Sequence, residues 1–376
     1  MKFLFFSQSD IAEFSAAGVN TVNLAKALSE AAEEFVFVAC HSSQTDGPAL
    51  LRQYGASALI PCTMLIRSDG GKKRYVEKVK KLLKLMVIFR DVRPQFFYTR
   101  DIAAAFLASL AGVSTQLHIH RVPGFFEKSL IYLLCVLPSF KKLLFVSGAL
   151  QSHVMPNSTF FQGKSSIVSN GFDERKFTDD APKQETRKKL KISKEKIVVG
   201  YFGRIAEGRG LPLIAKLSQR LNQVIFLVGG FGDLVFCSKM KSEMNADNTI
   251  FTGHLKPESV PQIMGACDIL LMPYEPLVGL PGNGFADGHI IQPLKMFEYM
   301  ASGKVIISSN LPGIREVLND RNAILLWSND LKNWEDAILE LIHDVKRRHA
   351  LGRAARIISE RYTNQRVANK ILQGFE

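Results

Sequence analysis

Long apolar runs are the first thing this 376-residue sequence lacks. Phe3 to Phe6 is far shorter than the hydrophobic region of a signal peptide, and nothing approaches the roughly 20 apolar residues of a membrane span. The nearest candidate, Leu130 to Leu137, stops at Pro138. Cysteine is also sparse: the five (40, 62, 135, 237 and 267) are scattered, odd in number and form no CxxC pair. That fits a reducing cytoplasm without structural metal or disulfides. GxGxxG is missing, which speaks against a nicotinamide dinucleotide. No Walker A, HExxH, GxSxG or kinase signature occurs either. No segment repeats closely enough for a solenoid.

What is present describes a globular protein, with 47% apolar and 22% charged residues. The length suggests two domains of roughly 150–200 residues. The net charge of +13 is uneven. Residues 1–170 carry 19 basic and 11 acidic side chains, against 29 and 24 in 171–376. Much of the excess lies between Lys72 and Arg90, where eight basic residues face one acid, Glu77. Tyr75, Val76, Val79, Leu82, Leu83 and Met86 recur there at helical spacing. The segment reads either as a basic amphipathic helix against an anionic membrane or as a solvated helix docked on its own domain. No nucleic-acid-binding motif accompanies the charge.

Along the chain, strands and helices alternate. Strand 2–6 leads through a polar loop to a helix opened by Gly18. Strand 35–39, helix 72–90, strand 96–98, helix 102–111, strand 115–119, helix 125–137 and strand 143–146 follow. Residues 173–196 are polar and charged and read as a connection. A second run starts at strand 197–203 and continues through helix 211–220, strand 224–228, helix 234–245, strand 250–252, helix 257–266 and strand 269–272. Pro293 to Gly303 then reads as a helix, with strand 305–307 after it. This rhythm predicts an α/β protein of two doubly wound parallel sheets.

Several segments carry candidate chemistry. Gly203-Arg204-Ile205-Ala206-Glu207-Gly208-Arg209-Gly210 follows a strand and precedes a helix, where loops of open α/β sheets line a ligand crevice. Its two guanidiniums suit a diphosphate; arginines on a flexible surface loop are the plainer reading. Gly229-Gly230-Phe231-Gly232 is either a second close approach to a ligand or a tight turn. In helix 293–303, Leu294, Phe297 and Met300 share a sheet-facing side, and Lys295, Glu298 and Ser302 share another. The helix start is a cradle for phosphate, and Glu298, one turn in, offers two acceptor oxygens to the vicinal hydroxyls of a ribose. A Lys295–Glu298 surface pair is the alternative. His118 and His120 share one strand face, but no third ligand lies near in sequence, so a metal site is not expected. Tyr274 to Gln292, with Gly279, Gly282, Gly284, Gly288, Asp287 and His289, reads as a ligand-gating loop or a disordered one.

Together these segments resemble the retaining glycosyltransferases of family 4, which have the GT-B fold. The resemblance covers most of the chain. Its markers are the Gly18 helix ending in Leu24-Ala25-Lys26-Ala27-Leu28, Tyr98-Thr99-Arg100-Asp101, His120, Val146-Ser147 and Ser169-Asn170-Gly171-Phe172-Asp173 with Phe177. Gly203-Arg204 with Arg209-Gly210, Phe251-Thr252-Gly253-His254, Cys267-Asp268-Ile269 through Pro273-Tyr274, Pro293 to Gly303 and Pro312-Gly313-Ile314-Arg315-Glu316 complete them. The resemblance implies two Rossmann-like domains facing a central cleft. Residues 1–172 would form the acceptor side and 173–355 the nucleotide-sugar side, with a helix in 356–376 crossing back to the first domain.

It further implies a catalytic set of His120, Arg204 and Arg209, with His120 touching the transferred sugar and the arginines holding the diphosphate. Donor binding falls to Gly18, Gly203, Gly253, Leu294, Lys295 and Glu298. Leu294 meets the phosphates through its backbone N–H, and Glu298 holds the ribose. No metal and no cofactor are expected beyond the nucleotide-diphosphate sugar itself. The expected activity is metal-independent, retaining hexosyl transfer to a glycan or lipid-linked acceptor. The cysteine pattern sets it in the cytoplasm, the basic segment 72–90 suggests contact with the inner face of an anionic membrane, and no nucleic-acid partner is expected.

Three positions depart from the family pattern: Arg209 replaces lysine, Ala17-Gly18 replaces paired glycines, and Ile290 replaces a second glutamate that reads the donor sugar. The last keeps a catalytically idle sugar-nucleotide-binding subunit open as an alternative. Another GT-B activity, a phosphorylase or an epimerase, is open as well.

Overall fold

The computed structural model describes residues 2–11, 15–41, 47–54, 60–66, 74–156, 161, 163–177, 183–279 and 284–375. The chain folds as two units, Met1–Phe172 with Thr363–Glu376, and Asp173–Tyr362.

Unit 1 runs β1 (Lys2–Asp10), α1 (Ala16–Ala31), β2 (Glu34–His41), α2 (Gly47–Gln53), β3 (Cys62–Ile66), α3 (Arg74–Val92), β4 (Phe96–Thr99), α4 (Ile102–Leu110), β5 (Ser114–Ile119), α5 (Phe125–Val136), β6 (Phe140–Phe145), α6 (Gly148–Val154) and β7 (Ser165–Ile167). The strands form one sheet in the order β3-β2-β1-β4-β5-β6-β7. Every pairing is parallel. A sheet buried on both faces needs apolar residues at every strand position, and β1 shows the division of labour. Phe3 and Phe5 enter one core with α1, whereas Leu4 and Phe6 enter another with Leu85 and Phe89 of α3 and Ala104 and Ala108 of α4.

Unit 2 runs α7 (Lys183–Lys189), β8 (Ile197–Phe202), α8 (Leu211–Arg220), β9 (Val224–Gly229), α9 (Leu234–Glu243), β10 (Thr249–Gly253), α10 (Val260–Gly265), β11 (Ile269–Met272), β12 (Leu277–Gly279), β13 (Phe285–Asp287), α11 (Leu294–Ala301), β14 (Val305–Ser309), α12 (Pro312–Arg315), β15 (Ile324–Leu326), α13 (Leu331–His343) and α14 (Val345–Ser359). Its parallel sheet has the order β10-β9-β8-β11-β14-β15. In both sheets the strand order reverses beside the first strand, between β1 and β4 and between β8 and β11. Loops leave the two strands there in opposite directions and open a crevice at the carboxyl ends.

The chain returns to unit 1 with α15 (Asn364–Gln373), whose Val367, Ala368 and Ile371 join the α1 core. The Asn364 N–H donates to the Phe172 carbonyl at 2.9 Å, and Thr363 caps the helix through the Arg366 N–H. The expected start of this crossing at 356 falls inside α14. Leu351 of that helix is in the unit 2 core, and Arg356 donates to the Phe177 carbonyl at 3.2 Å. The change of unit therefore comes at Thr363.

Asp268, at the entry to β11, is a structural anchor. Its carboxylate accepts from Arg187 at 2.6 Å, from Lys183 at 2.7 Å and from the Val198 N–H at 2.9 Å. Arg187 is buried and also donates to the carbonyls of Ala266, Lys194 and Lys196. Asp268→Asn leaves that guanidinium without its counter-charge. The expected loss is about 3–5 kcal/mol, read as an earlier urea midpoint for unit 2. An unmoved midpoint would contradict the anchor.

Candidate functional site

In unit 2 the loops after β8 and β11 are bonded to each other. The Glu275 N–H donates to the Gly208 carbonyl at 2.9 Å and the Gly279 N–H to the Glu207 carbonyl at 3.0 Å. Gly208 and Gly210 have φ of +71° and +73°, and a Cβ on Gly210 would stand 2.0 Å from the Pro273 carbonyl oxygen. Only glycine permits that approach. The arginine loop is thus a bonded ledge, not a flexible surface excursion. Gly229 to Gly232 close its other side. A Cβ on Gly230 would meet the Gly203 carbonyl and one on Gly232 the Ile205 carbonyl, so these glycines serve backbone packing as a tight turn.

α11 meets this ledge end-on. The Tyr299 hydroxyl accepts from the Phe202 N–H at 2.7 Å and donates to the Phe202 carbonyl at 3.1 Å, fixing the helix to the end of β8. Pro293 precedes the first turn and supplies no side-chain cap, so the N–H groups at Leu294 and Lys295 face outward along the axis. Lys295 is 8% exposed. Its ammonium lies 3.9 Å from the Tyr201 ring centroid and 5.1 Å from that of Tyr274, and a Cβ on Gly203 would crowd it at 2.8 Å. The spacing-based Lys295–Glu298 surface pair is therefore not what forms: Lys295 is buried on tyrosine faces, and no ion pair joins it to Glu298 among the described residues.

Arg209 donates to the Tyr274 hydroxyl at 3.0 Å and to the Gly279 carbonyl at 3.4 Å, and Tyr201 donates to the Arg204 carbonyl at 2.8 Å. Nε of Arg204, Nε of Arg209 and Nζ of Lys295 are buried without a hydrogen-bond partner. Burial pushes the Lys295 ammonium well below the ordinary lysine value, and the Arg209 charge adds to this. Burial raises Glu298 to about 7, against the pull of Lys176 and Lys295. Such a site concentrates positive charge under a partly neutralised carboxyl group. Tyr201 and Tyr274 are the residues sequence reasoning missed as parts of it; aromatic residues flanking a strand–loop junction were the available signal.

Leu294 is partly buried at the helix mouth. Gly253 ends β10, two strands from the β8–β11 gap; its carbonyl accepts from Gly230, and no atom lies within 4 Å of where its Cβ would be. The expected gating loop contains the antiparallel hairpin β12–β13. Gly282 lies outside the described residues. Asp287 and His289 engage each other at 2.7 Å.

In unit 1, His118 is fully occupied. Its Nε2 faces the Val168 carbonyl at 2.9 Å and so carries the hydrogen, leaving Nδ1 to accept from Tyr98 at 2.6 Å. The His120 ring is 4.2 Å away, and its buried Nε2 has no partner. Burial, with the charge of Arg100, holds both imidazoles well below the usual histidine range, hence neutral. Among the described residues no three His, Cys, Asp or Glu side chains form a metal-binding group. Gly18 is filled from within the protein: a Cβ there would lie 3.0 Å from the Asp10 carbonyl oxygen and 3.1 Å from the Tyr54 hydroxyl. Its lack of a side chain serves the packing of α1 on the end of β1.

Residues 182–357 match the family model described as glycosyl transferases group 1. TuaH of Bacillus subtilis is 30% identical over 170 residues, 44% of this chain and 39% of TuaH. The GDP-mannose-dependent monoacylated alpha-(1-6)-phosphatidylinositol monomannoside mannosyltransferase of Corynebacterium glutamicum is 24% identical over 215 residues, 52% of this chain and 54% of that protein. The chain spans less than two thirds of either relative. Among solved structures, Anabaena Alr3699/HepE in complex with UDP superposes with a TM-score of 0.73 at 18% identity, over 99% of both chains. The chain thus has the GT-B fold, and within its second unit residues 182–357 are similar to the glycosyl transferases of group 1.

Proposed function

We propose that the chain transfers a hexosyl group from a nucleotide-diphosphate sugar to a glycan or lipid-linked acceptor, with retention at the anomeric carbon and without a metal ion. One observation carries the reading: Nε of Arg204 and of Arg209, on the loop after β8, and Nζ of Lys295, in the first turn of α11, are all buried without a hydrogen-bond partner. A diphosphate satisfies such donors, since each buried unmade hydrogen bond costs about 1–3 kcal/mol. The N–H groups that open α11 add further donors along the helix axis. As the bond between sugar and phosphate breaks, negative charge grows on the diphosphate, and these groups already stand where it develops. With so many cations at the leaving group a metal is redundant. The acceptor hydroxyl attacks from the leaving-group side, and its proton passes to a departing phosphate oxygen, so no protein nucleophile is needed. Glu298 holds the ribose. The neutral imidazole of His120 is assigned to the hydroxyls of the transferred sugar. No disulfide joins the five cysteines among the described residues, in keeping with a cytoplasmic setting.

HepE is solved with UDP-glucose, and the Corynebacterium relative is named for GDP-mannose, so both donors belong in the test. A thermal-shift panel of UDP, GDP, ADP and their sugars is expected to single out one base. A ligand at 100 times its Kd adds roughly 2.7 kcal/mol of stability. Loss of the sugar from the winning donor on adding acceptor, with nucleoside diphosphate released, completes the assignment. Binding without turnover across acceptors points to the idle subunit, and no shift with any nucleotide overturns the reading.

A further inference from the structure

We infer that the α3–α4–α5 layer of unit 1 is a docking surface for an anionic lipid bilayer, with the first turn of α5 as its inserted wedge. The three helices lie side by side, α4 packed against both neighbours. Phe125 and Phe126 open α5 at 80% and 85% exposure, and Leu133 and Val136 continue the same stripe in the open. α4, reading Ile-Ala-Ala-Ala-Phe-Leu-Ala-Ser-Leu, carries no charged residue and ends on exposed Leu110. α3 is two-sided: Leu85 and Phe89 are buried in the sheet-side core, while Val79, Leu83, Met86 and Val87 stand exposed. The sequence pattern that grouped Val79, Leu82, Leu83 and Met86 as one stripe therefore splits, with Leu82 packing inward and the others outward. The side chains of 74–78 lie outside the described residues.

Charge decides the occupant. Exposed Lys80 and Lys84 lie beside the outward apolar residues of α3, and Lys128 follows the wedge on α5. None pairs with a carboxylate among the described residues. Two described acids nearby are taken: Glu127 is held by Arg121 through two bonds, at 2.7 Å and 2.5 Å, and Asp91 by Arg90. Bulky apolar groups edged by unpaired lysines match an interface of acyl chains beneath lipid phosphates. A self-complementary protein interface would instead need acids facing those lysines. No helix among the described residues is long and apolar enough to cross a membrane, so the contact is with one leaflet. The wedge starts five residues after His120 in sequence. Taken with the proposed transfer, this favours the lipid-linked acceptor over a free glycan.

The test is co-sedimentation of the full chain with phosphatidylcholine vesicles, with and without phosphatidylglycerol, in the absence of any nucleotide sugar. Failure there leaves the transfer reading untouched. Wild type is expected to pellet with the anionic vesicles and to lose binding as salt rises. Lys80→Gln with Lys84→Gln is expected to weaken anionic-vesicle binding roughly 25-fold, and Phe125→Ser with Phe126→Ser by at least ~10-fold on every vesicle. Both pairs are exposed, so the thermal midpoint in solution stays put. Wild-type protein left in the supernatant overturns the inference. So does light scattering that shows a dimer returned to monomer by the phenylalanine variant, because a second copy would then cover the face.

Discussion

Glu298→Gln is expected to abolish most nucleotide-sugar binding while making the ligand-free protein more stable. Burial raises this carboxyl to about 7, whereas in the unfolded chain it titrates near 4.5. Between those values the folded state keeps a proton that the unfolded state gives up, so stability falls as pH rises through the window. Above pH 7 the full penalty is present, about 3 kcal/mol at 1.36 kcal/mol per unit. Glutamine has the same shape and no charge to bury. Its unfolding midpoint is expected to exceed wild type at pH 8, match it at pH 4.5 and lose the slope between. Binding runs the other way. Two hydroxyl bonds to a carboxylate contribute about 1.5–3 kcal/mol each, so losing the charge is expected to weaken UDP-sugar or GDP-sugar binding on the order of 100-fold. Wild-type binding itself is expected to tighten as pH rises to 7, because the ionised form is the one that accepts. Calorimetric titration of both proteins at pH 6 and 8 checks this. Equal affinity of the glutamine variant would remove Glu298 from the ribose.

How far the sequence could be read varies between elements for physical reasons. β1 and β8 are legible because a strand buried on both faces needs apolar residues throughout, as in Phe3 to Phe6 and Ile197 to Phe202. α11 is legible at both ends: Pro293 starts it, and Gly303, just past the end, has φ +67°. The arginines of the β8 loop and Glu298 were legible by position in an αβ unit. What spacing alone missed is tertiary. Lys295 sits at a solvated-looking position relative to Glu298, yet it is buried because the ring of Tyr201, far away in sequence, lies over its ammonium. The glycines were ambiguous for a related reason. At Gly18, Gly208, Gly210 and Gly230 the absent side chain makes room for the protein's own carbonyls, and a sequence does not distinguish that from room for a ligand. The helix expected within 356–376 is α15, and the unit changes at Thr363 because α14 carries an amphipathic pattern into the unit 2 core first.

Arg204→Ala is expected to lower turnover by at least ~100-fold, by analogy with the loss of one donor from an oxyanion site. What decides the effect is how the cations are held in the resting protein. Arg209 is held by two neutral acceptors, the Tyr274 hydroxyl and the Gly279 carbonyl, and Lys295 by aromatic faces. The Arg204 backbone is fixed by Tyr201, whereas its buried Nε has no partner. A guanidinium arranged in this way contributes little to folding, since removing an unmet donor relieves about 1–3 kcal/mol of desolvation. The alanine variant is therefore expected to unfold no earlier than wild type, which separates lost chemistry from lost structure. The division between kcat and KM then assigns the role. A fall in kcat at similar KM means that Arg204 meets charge that exists only as the diphosphate departs; a rise in KM alone means that it holds donor and transition state equally. Arg204→Lys keeps the charge but not the fork, and should recover only part of the rate. Turnover near wild type in the alanine variant would take Arg204 out of the leaving-group site. The diphosphate would then rest on Arg209, Lys295 and the mouth of α11 alone.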